Sequence, residues 1–558
     1  MKKTLCLILC LVMCVGLFAA CGGKTEPAAS GSSGSSASSG SSGAATSPTA
    51  DTIGKTNTAG SSTAEHEATP PPKEAEYYDE LSLYINDKVA IVDPLDPGAR
   101  TAQSGILGLL GYDTLVRFEL DGSYSPELAT EWECNEDGSV WTFKLRDDVT
   151  FHNGEHFTAD DVLFSAERYK ETPGTYGNSA FKQAASIDVL GDYEIRFNLE
   201  KPNFDFVYDV CSPVVSIVNR EAYESGDEHA GWIGTGAFKI VDQVPNDSIT
   251  FEAYDGYWGE PVYCKKFTCR YIAERTARNI MLENDEFTFA NVDGVDIPTY
   301  ENDPRLTLTS YVMNNLNYVS FNMKKPVTGD KNFRLAVAYA LDKQEIIDIA
   351  LNGYGAPAET GALWGYRTAY KDYSIPPFER DLEKAKDYLA KSCYAAEGSP
   401  TLSITASMPH TIASAQVVQA ALQAIGVNCE VKQLDAPTMT ATTTWANNQE
   451  DIICGSGSWS PLGSSIKGFV TPGNDSNKAL YENQEVVDLI DQAAATKDGP
   501  EREEMYHKIQ QIMYEDLPYY GTFHMALYIG SQKGSGGAKY FVTNYHDYSH
   551  AYRLKNPD

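Results

Sequence analysis

A strand, a helix and a second strand follow one another between residues 402 and 435, and this order restricts the possible folds more than any other feature. The segment "LSITASM" and the later segment "VNCEVKQLD" have strand-like patterns. Between them, one helical stripe collects the apolar residues Ile412, Ala415, Val418, Leu422 and Ile425, and Gly426 ends the helix. Because a β-α-β unit crosses over with a right-handed connection, we expect an α/β fold with a parallel sheet.

A glycine-rich loop follows the next predicted strand, "DIICGSGSW" at residues 451–459. In sheets of this kind, ligands bind beyond the carboxyl ends of the strands. We therefore expect this loop to lie close to a binding site.

The stretch "SVWTFKLRDDVTFHNGEHFTADDV", residues 139–162, predicts a strand, a turn and a helix. Trp141, Phe143 and Leu145 alternate with polar residues, as in a half-buried strand, and Asp137-Gly138 before them suits a hairpin turn. Thr158 is the expected N-cap of the helix, with an aspartate at the third helical position as in a capping box.

His152 and His156 lie in the turn of this stretch, with Glu155 between them, and resemble the ligands of a metal enzyme. The helix begins only after both histidines, so they do not share one helical face as the ligands of a HExxH site do. We interpret this segment as a polar turn, and we expect no metal site there.

The charge balance restricts the partners of the chain. Its 558 residues carry a formal net charge of −33, and 42% of them are hydrophobic, which is enough to build sizeable cores. A body this acidic lacks the basic patches that phosphate groups require, so we expect no nucleic-acid partner.

The N-terminus predicts a contact with the membrane. Residues 1–20 form a signal peptide, with Lys2 and Lys3 before an apolar run, and "LFAAC" resembles a bacterial lipobox in which Cys21 is lipidated. An ordinary cleaved signal peptide is the alternative. Residues 21–77 are rich in Ser, Gly and Pro and are expected to form a flexible linker.

Motifs for other functions are missing from the sequence. The seven cysteines after Cys21 have irregular spacing and form neither a disulfide framework nor a zinc pattern. The sequence contains no GxxxxGK[ST] phosphate loop and no GxSxG or HExxH motif. We therefore expect neither a cofactor nor a catalytic site.

Several motifs follow one another along the chain: "SYSPELATEWECNEDGSVWTFKLRDDVTFHNGEHFTADDVLFSAERY", "GTGAFKI", "YDGYWG", the helix around Arg334, Ala336, Ala340 and Asp342, "RDLEKAKDYLAKS" and "REEMYHKIQQIMYEDLPYY". In this order, they resemble the motifs of the extracellular solute-binding proteins of family 5. The resemblance covers about residue 78 to the C-terminus.

This resemblance implies a two-lobed periplasmic-binding-protein-like fold of type II, in the large peptide-binding class, with a hinge between the lobes. We expect lobe one at residues 78–313 and 526–558, and lobe two at 314–525. The implied function is capture of a peptide or another small solute by a monomer, followed by delivery to the permease and ATPase of an ABC importer.

The resemblance also places the ligand site. Trp459 and Ser460 open the loop that reads W-x-x-D in peptide binders of the family, where the aspartate grips the ligand's α-amino group. Here Leu462 replaces that acid, which argues against ordinary peptides with a free N-terminus.

Other residues could complete the predicted site. Asn315, Asn317 and Tyr318 lie near the hinge, where they could bond a solute, although ordinary strand polarity also explains them. Trp364 and Arg367 could cover the ligand, and Arg367 could pair with a carboxylate.

Three alternative functions stay open at this stage. The same fold could present a solute to a sensor protein instead of a permease. It could also bind nickel, a metal chelate or another non-peptide solute, and His546 and His550 are a further close pair of possible ligands. A lipoprotein hydrolase is the third alternative.

Overall fold

The structure is a computed structural model, and it describes residues 76–85, 88–96, 109–119, 123–173, 175–212, 214–365, 368–460, 462–540 and 546–556. The predicted signal peptide, Cys21 and nearly all of the predicted linker lie outside the described residues. Arg367 lies outside them as well.

The described strands are β1 (Glu80–Ile85), β2 (Val116–Phe118), β3 (Tyr124–Pro126), β4 (Ala129–Cys134), β5 (Val140–Leu145), β6 (Ala184–Gly191), β7 (Glu194–Leu199), β8 (Phe238–Val244), β9 (Ser248–Ala253), β10 (Lys266–Tyr271), β11 (Phe289–Asn291), β12 (Leu306–Phe321), β13 (Gly355–Pro357), β14 (Leu402–Ala406), β15 (Cys429–Gln433), β16 (Ile452–Ser458), β17 (Tyr519–Gln532), β18 (Ser535–Gly536), β19 (Lys539–Tyr540), β20 (His546–Asp547) and β21 (Tyr552–Arg553).

The described α-helices are α1 (Ala159–Glu171), α2 (Tyr176–Phe181), α3 (Phe206–Val210), α4 (Arg220–Ser225), α5 (Arg275–Glu283), α6 (Ile297–Tyr300), α7 (Lys331–Ala340), α8 (Lys343–Leu351), α9 (Leu382–Lys391), α10 (Pro409–Ala424), α11 (Ala436–Thr442), α12 (Lys467–Val470), α13 (Gln484–Ala494) and α14 (Pro500–Asp516). Short 3-10 turns lie at Ala230–Trp232 and Gly463–Ile466.

One mixed sheet runs through both halves of the fold. Its strand order is β15-β14-β16-β12-β17-β11-β1-β10-β9-β8, and β13 pairs with β17. A separate antiparallel sheet has the order β4-β5-β7-β6. Different hydrophobic clusters fill the two sides of the large sheet near β12, and another fills the region under the small sheet.

The predicted β-α-β unit is confirmed. β14 and β15 pair in parallel, and α10 connects them. Ala415, Val418 and Leu422 from the predicted stripe are fully buried, and Gly426 has a φ of +94° just after the helix ends. The apolar period therefore dictates which face of α10 packs on the sheet.

The strand, turn and helix of residues 139–162 are also as predicted. Trp141, Phe143 and Leu145 are buried in β5, which pairs antiparallel with β4. At the start of α1, the backbone N–H of Thr158 donates to Asp161 Oδ2 at 2.9 Å, which is one half of a capping box.

His152 belongs to the scaffold. The backbone N–H of Gly234 donates to His152 Nδ1 at 3.3 Å, and His152 Nε2 lies 2.9 Å from the carbonyl oxygen of Gly236. Burial lowers the pKa of His152 to about 4, so the ring is neutral near pH 7. The histidine therefore joins the turn before α1 to the "GTG" segment, while His156 is exposed.

The family-like helix α7 is anchored through a buried arginine. Arg334 donates to the carbonyl oxygens of Asp516 and Thr328 at 2.8–3.0 Å. Asp342 then caps α8 by accepting the backbone N–H of Gln344. These motif residues fix the helices around the sheet.

Two long strands, β12 and β17, lie side by side at the centre of the large sheet. The predicted lobe boundaries, 313/314 and 525/526, fall inside these strands. The seven described cysteines all carry free thiols, which are Cys134, Cys211, Cys264, Cys269, Cys393, Cys429 and Cys454.

Candidate functional site

β12 changes its register against β17 where the predicted lobes meet. Val312 pairs with Ala526 and Leu316 pairs with His524, so β12 advances by four residues while β17 advances by two. Such a bulge bends the strand and leaves backbone groups outside the regular ladder. Asn314 lies in this bulge.

Asn314 fastens the loop after β16 to the bulge. The glycines that the sequence predicted in this loop, Gly455 and Gly457, lie instead within β16 and pair with β12. Its backbone carbonyl accepts the Trp459 N–H at 2.9 Å. Its side-chain Nδ2 donates to the carbonyl oxygens of Trp459 and Ser460 at 3.1 and 3.2 Å. Thr368 Oγ1 also lies 3.4 Å from the Ser460 carbonyl oxygen. Asn314 is 2% exposed, so its amide is committed to positioning the loop.

The predicted residues of β12 divide between the two faces of the sheet. Tyr318 packs edge-on against Phe469, with ring centroids 5.9 Å apart. On the opposite face, Asn315 Oδ1 accepts bonds from Ser456 Oγ at 2.9 Å and from Asn317 Nδ2 at 3.3 Å. Because side chains alternate along a strand, Asn315 and Asn317 do not share a face with Tyr318.

Trp459 lies on the same face as Tyr318. Its ring stacks on Phe469 with centroids 4.7 Å apart and an interplanar angle of 3°, and the residue is 3% exposed. Its indole Nε1–H is buried and has no hydrogen-bond partner among the described residues. An unpaired buried donor costs roughly 1–3 kcal/mol, a cost that an acceptor from a ligand would remove.

Trp364 packs inside the same hydrophobic cluster. It is 2% exposed, its Nε1–H donates to the carbonyl oxygen of Ala369 at 3.3 Å, and its ring meets Tyr506 at 5.9 Å. Trp364 thus lies in the core next to the loop, and its predicted role as a cover of the ligand stays a prediction.

A group of cationic side chains lies near His524, which pairs with β12 at the bulge. Lys371 Nζ donates to Glu359 Oε2 at 2.5 Å, and Lys343 Nζ donates to the carbonyl oxygen of Ala358 at 2.8 Å. Burial and then the charge of Lys371 lower the pKa of Lys343 to about 7. Burial, assisted by the charge of Lys371, lowers the pKa of His524 to about 3.

Sequence reasoning missed Asn314, His524 and Lys371. Asn314 was adjacent to two residues that the resemblance suggested, in the run "NNLN", and that polar run was the only available signal. The other two residues stand in β17 and in a long connection, where no local pattern marks them.

The position of the missing acid is filled by a buried side chain. Leu462 is 6% exposed, and its backbone N–H donates to Ser460 Oγ at 3.3 Å. The next acid along the chain, Asp475, accepts the backbone N–H of Trp445 at 3.0 Å and so serves a different turn.

The described part of the chain also bears on metal binding and on membrane crossing. Within it, no group of three or more His, Cys, Asp or Glu residues is arranged to hold a metal ion. The side chain of His546 is outside the description. Among the described helices, none has both the length and the apolar character needed to cross a bilayer.

Comparisons with known proteins agree on one family. The family model described as bacterial extracellular solute-binding proteins, family 5, matches residues 123–479, more than half of the chain. The chain is 28% identical over 463 residues to the heme-binding protein A of Haemophilus influenzae, covering 74% of this chain and 81% of that protein. It is 26% identical over 454 residues to the dipeptide-binding protein of Escherichia coli, covering 73% and 82%.

A solved structure shares the fold. The ABC transporter substrate-binding protein CtaP of Listeria monocytogenes superposes with a TM-score of 0.77 at 22% identity, covering 86% of this chain and 100% of that one. This similarity confirms the predicted two-lobed binding-protein fold.

Proposed function

We propose, from the premise that this chain belongs to family 5 of the bacterial extracellular solute-binding proteins, that it captures a peptide or peptide-like solute and delivers it to a membrane permease. Members of the family are binding components of transport systems and not enzymes.

One observation carries the choice of ligand. The loop that begins with Trp459 is locked by Asn314 to the bulge of β12, and in the described part of the chain the buried indole Nε1–H of Trp459 has no hydrogen-bond partner. A peptide group offers a carbonyl acceptor for such a donor, and the flat indole ring offers apolar contact beside it. A solute rich in amide groups therefore suits this position.

The surrounding acids narrow the ligand class further. Glu359 is bonded to Lys371, and Asp205 and Asp498 are both bonded to Arg502. None of these three carboxylates is left to balance a ligand ammonium group, and Leu462 has replaced the acid of the family motif. We propose that the end of the solute that contacts the Trp459 loop is uncharged, as in a peptide with a blocked N-terminus or a peptide-like molecule.

Capture would proceed by closure of the lobes about β12 and β17. A solute that contacts both lobes only in the closed arrangement stabilises that arrangement and shifts the population toward it. The bulge at Asn314 lies between the two halves of β12 and also holds the loop, so bending there would move the loop relative to lobe one.

The membrane attachment is proposed from the sequence. A lipid on Cys21, followed by a linker of about 50 residues with a root-mean-square span on the order of 40 Å, would keep the receptor near its permease. An anchored receptor is not lost by diffusion from the cell surface.

Native mass spectrometry tests the ligand proposal. Residues 22–558, purified without refolding, are compared under native and denaturing conditions. We expect released masses that differ by amino-acid residues and that lack a reactive primary amine at the N-terminus. Porphyrin, a metal adduct or another single non-peptide mass would overturn the proposal, and peptides with free amines would overturn its finer part.

A further inference from the structure

We infer that Asp205 and Arg502 form a latch between the lobes, and that Arg502 is a positioning residue which couples closure to the ligand loop. This inference rests on the proposed function, because a latch has meaning only if the lobes open and close. It concerns the energetics of closure and not the identity of the solute.

The pair is short, buried and distant in sequence. Arg502 Nη2 lies 2.5 Å from Asp205 Oδ1, across a separation of 297 residues. Asp205 is the residue before α3 in the predicted lobe one, and Arg502 lies in the first turn of α14 in the predicted lobe two. They are 5% and 2% exposed, respectively, so both charges are removed from water in this arrangement.

The contact continues beside the ion pair. The backbone N–H of Phe204 donates to the carbonyl oxygen of Ala494 at 2.9 Å. Lys497 Nζ lies 5.9 Å from the centre of the Phe204 ring. The small-sheet region of lobe one therefore meets the α13–α14 connection of lobe two over several groups, with the buried ion pair among them.

Arg502 is also hydrogen-bonded within the predicted lobe two. Its Nη1 donates to Asp498 Oδ1 at 2.7 Å, and the hydroxyl of Tyr370 donates to the same oxygen at 2.8 Å. The guanidinium would keep Asp498 as its partner after the lobes separate, while Asp205 would return to water. The arginine therefore favours one closed geometry without requiring a new conformation of α14.

Asp205 also contacts the ligand loop. Ser464 Oγ donates to Asp205 Oδ2 at 3.0 Å, and Ser464 is only five residues beyond Trp459. Gly463 packs so closely on Tyr506 that an added Cβ would lie 2.6 Å from the ring. The loop is thus fixed to the bulge of β12 through Asn314 at one end and to Asp205 of the latch through Ser464 at the other.

The energetics predict an asymmetric response to substitution. A buried ion pair contributes little net stability, because desolvation offsets the attraction, but removal of one partner leaves an uncompensated charge. Arg502→Gln leaves two carboxylates unpaired, whereas Asp205→Asn leaves Arg502 with Asp498. We therefore expect Arg502→Gln to oppose closure more strongly, and Asp205→Asn in the same chain to restore part of the loss.

Small-angle scattering tests the latch on residues 22–558, as purified and again after the bound solute is removed with denaturant and the protein is refolded. We expect the as-purified wild type to be more compact than the stripped protein. Arg502→Gln should have the radius of the stripped form in both samples, with at least a tenfold lower content of co-purified solute. The radius and the solute content of the double variant should lie between those of the wild type and those of Arg502→Gln.

Arg278→Gln is the matched control. Arg278 is a buried arginine paired with Asp293 at 2.6 Å, and both residues belong to lobe one. It should lower the unfolding temperature without changing the radius. The inference is overturned if Arg502→Gln remains as compact as the wild type, if the double variant is no more compact than Arg502→Gln, or if the wild type never contracts. These results do not depend on whether the released solute is a peptide, so failure of the ligand proposal is recognised separately.

Discussion

Asn314 and Trp459 bind each other in both directions, since the Trp459 N–H donates to the Asn314 carbonyl oxygen and the Asn314 side chain donates to the Trp459 carbonyl oxygen. The two residues are 145 positions apart in sequence. This reciprocal contact joins the bulge of β12, the proposed hinge strand, to the loop proposed to hold the solute.

Replacement of Asn314 by alanine should release this loop. The change removes one buried and one partly buried hydrogen bond to loop carbonyl groups, so we expect a loss of roughly 1–3 kcal/mol in the free energy of unfolding. The content of co-purified solute should fall about tenfold, because the loop is no longer pre-positioned. Urea unfolding and native mass spectrometry measure the two effects. Asn315→Ala, on the other face of the sheet, is the control and should retain the solute.

Trp459→Phe should separate ligand binding from stability. Phenylalanine keeps an aromatic ring for Phe469 but lacks the unpaired Nε1–H. We expect the free energy of unfolding to change by less than about 1 kcal/mol, because loss of ring area and removal of an unsatisfied donor have opposite signs. Solute content should nevertheless fall about tenfold. Trp364→Phe, which removes a paired indole donor, should lower the free energy of unfolding but keep the solute content. Equal solute content in both variants would contradict the proposed role of Trp459.

The sequence predicts features that depend on local period and capping. The stripe of α10, the alternation of β5 and the Thr158–Asp161 cap each follow from residues within a few positions of one another. The position of Asn314 depends instead on the relative register of β12 and β17, which no local pattern encodes. The same limit applies to Asp205 and Arg502, whose contact exists only once the small-sheet region meets α14.

The division of the predicted site between two faces has a similar cause. Asn317 and Tyr318 are neighbours in sequence, and a reading of polar and aromatic residues groups them together. A strand sends adjacent side chains to opposite faces, so only knowledge of which face meets the loop separates them. Trp459 lies just after β16, as the sequence predicts, but the glycines expected in its loop belong to the strand, and its packing on Phe469 required the fold.

Acid should destabilise the protein partly through His524. Its folded pKa is about 3 and the unfolded value is about 6.5, so the unfolded chain binds more protons between these limits. Stability due to the neutral ring is therefore present above pH 6.5 and is lost as the pH falls toward 3. Between pH 7 and pH 5 this group accounts for a loss of about 2 kcal/mol in the free energy of unfolding.

Urea unfolding of His524→Gln at these two pH values checks this prediction. The variant should lose less stability on acidification than the wild type, whatever its stability at pH 7. The exposed His156→Gln serves as the control for loss of a histidine elsewhere in the chain. An unchanged difference between pH 7 and pH 5 in His524→Gln would refute the assignment.

Cys21→Ser tests the proposed anchor. A thioether-linked lipid needs the cysteine sulfur, so the serine variant should move from the membrane fraction to the soluble fraction of cells. Immunoblots of the separated fractions measure this change, and mass spectrometry of the wild-type N-terminus should find Cys21 as the first residue with an added lipid. Cys134→Ser is the control and should stay with the membrane. Equal distribution of the two variants would favour an ordinary cleaved signal peptide.

Leu462→Asp tests whether the missing acid sets the ligand class. Leu462 is 6% exposed in the loop after Trp459, so an aspartate there would lie in a low-dielectric position and gain from an ammonium partner. We expect the variant to be less stable by a few kcal/mol and to retain peptides with a free N-terminus that the wild type does not retain. Leu462→Asn is the matched control, since asparagine has the shape of aspartate but no charge. If the spectra of released masses are the same for Asp and Asn, the acid is not the determinant, and the preference must arise from the neutral contacts around Trp459.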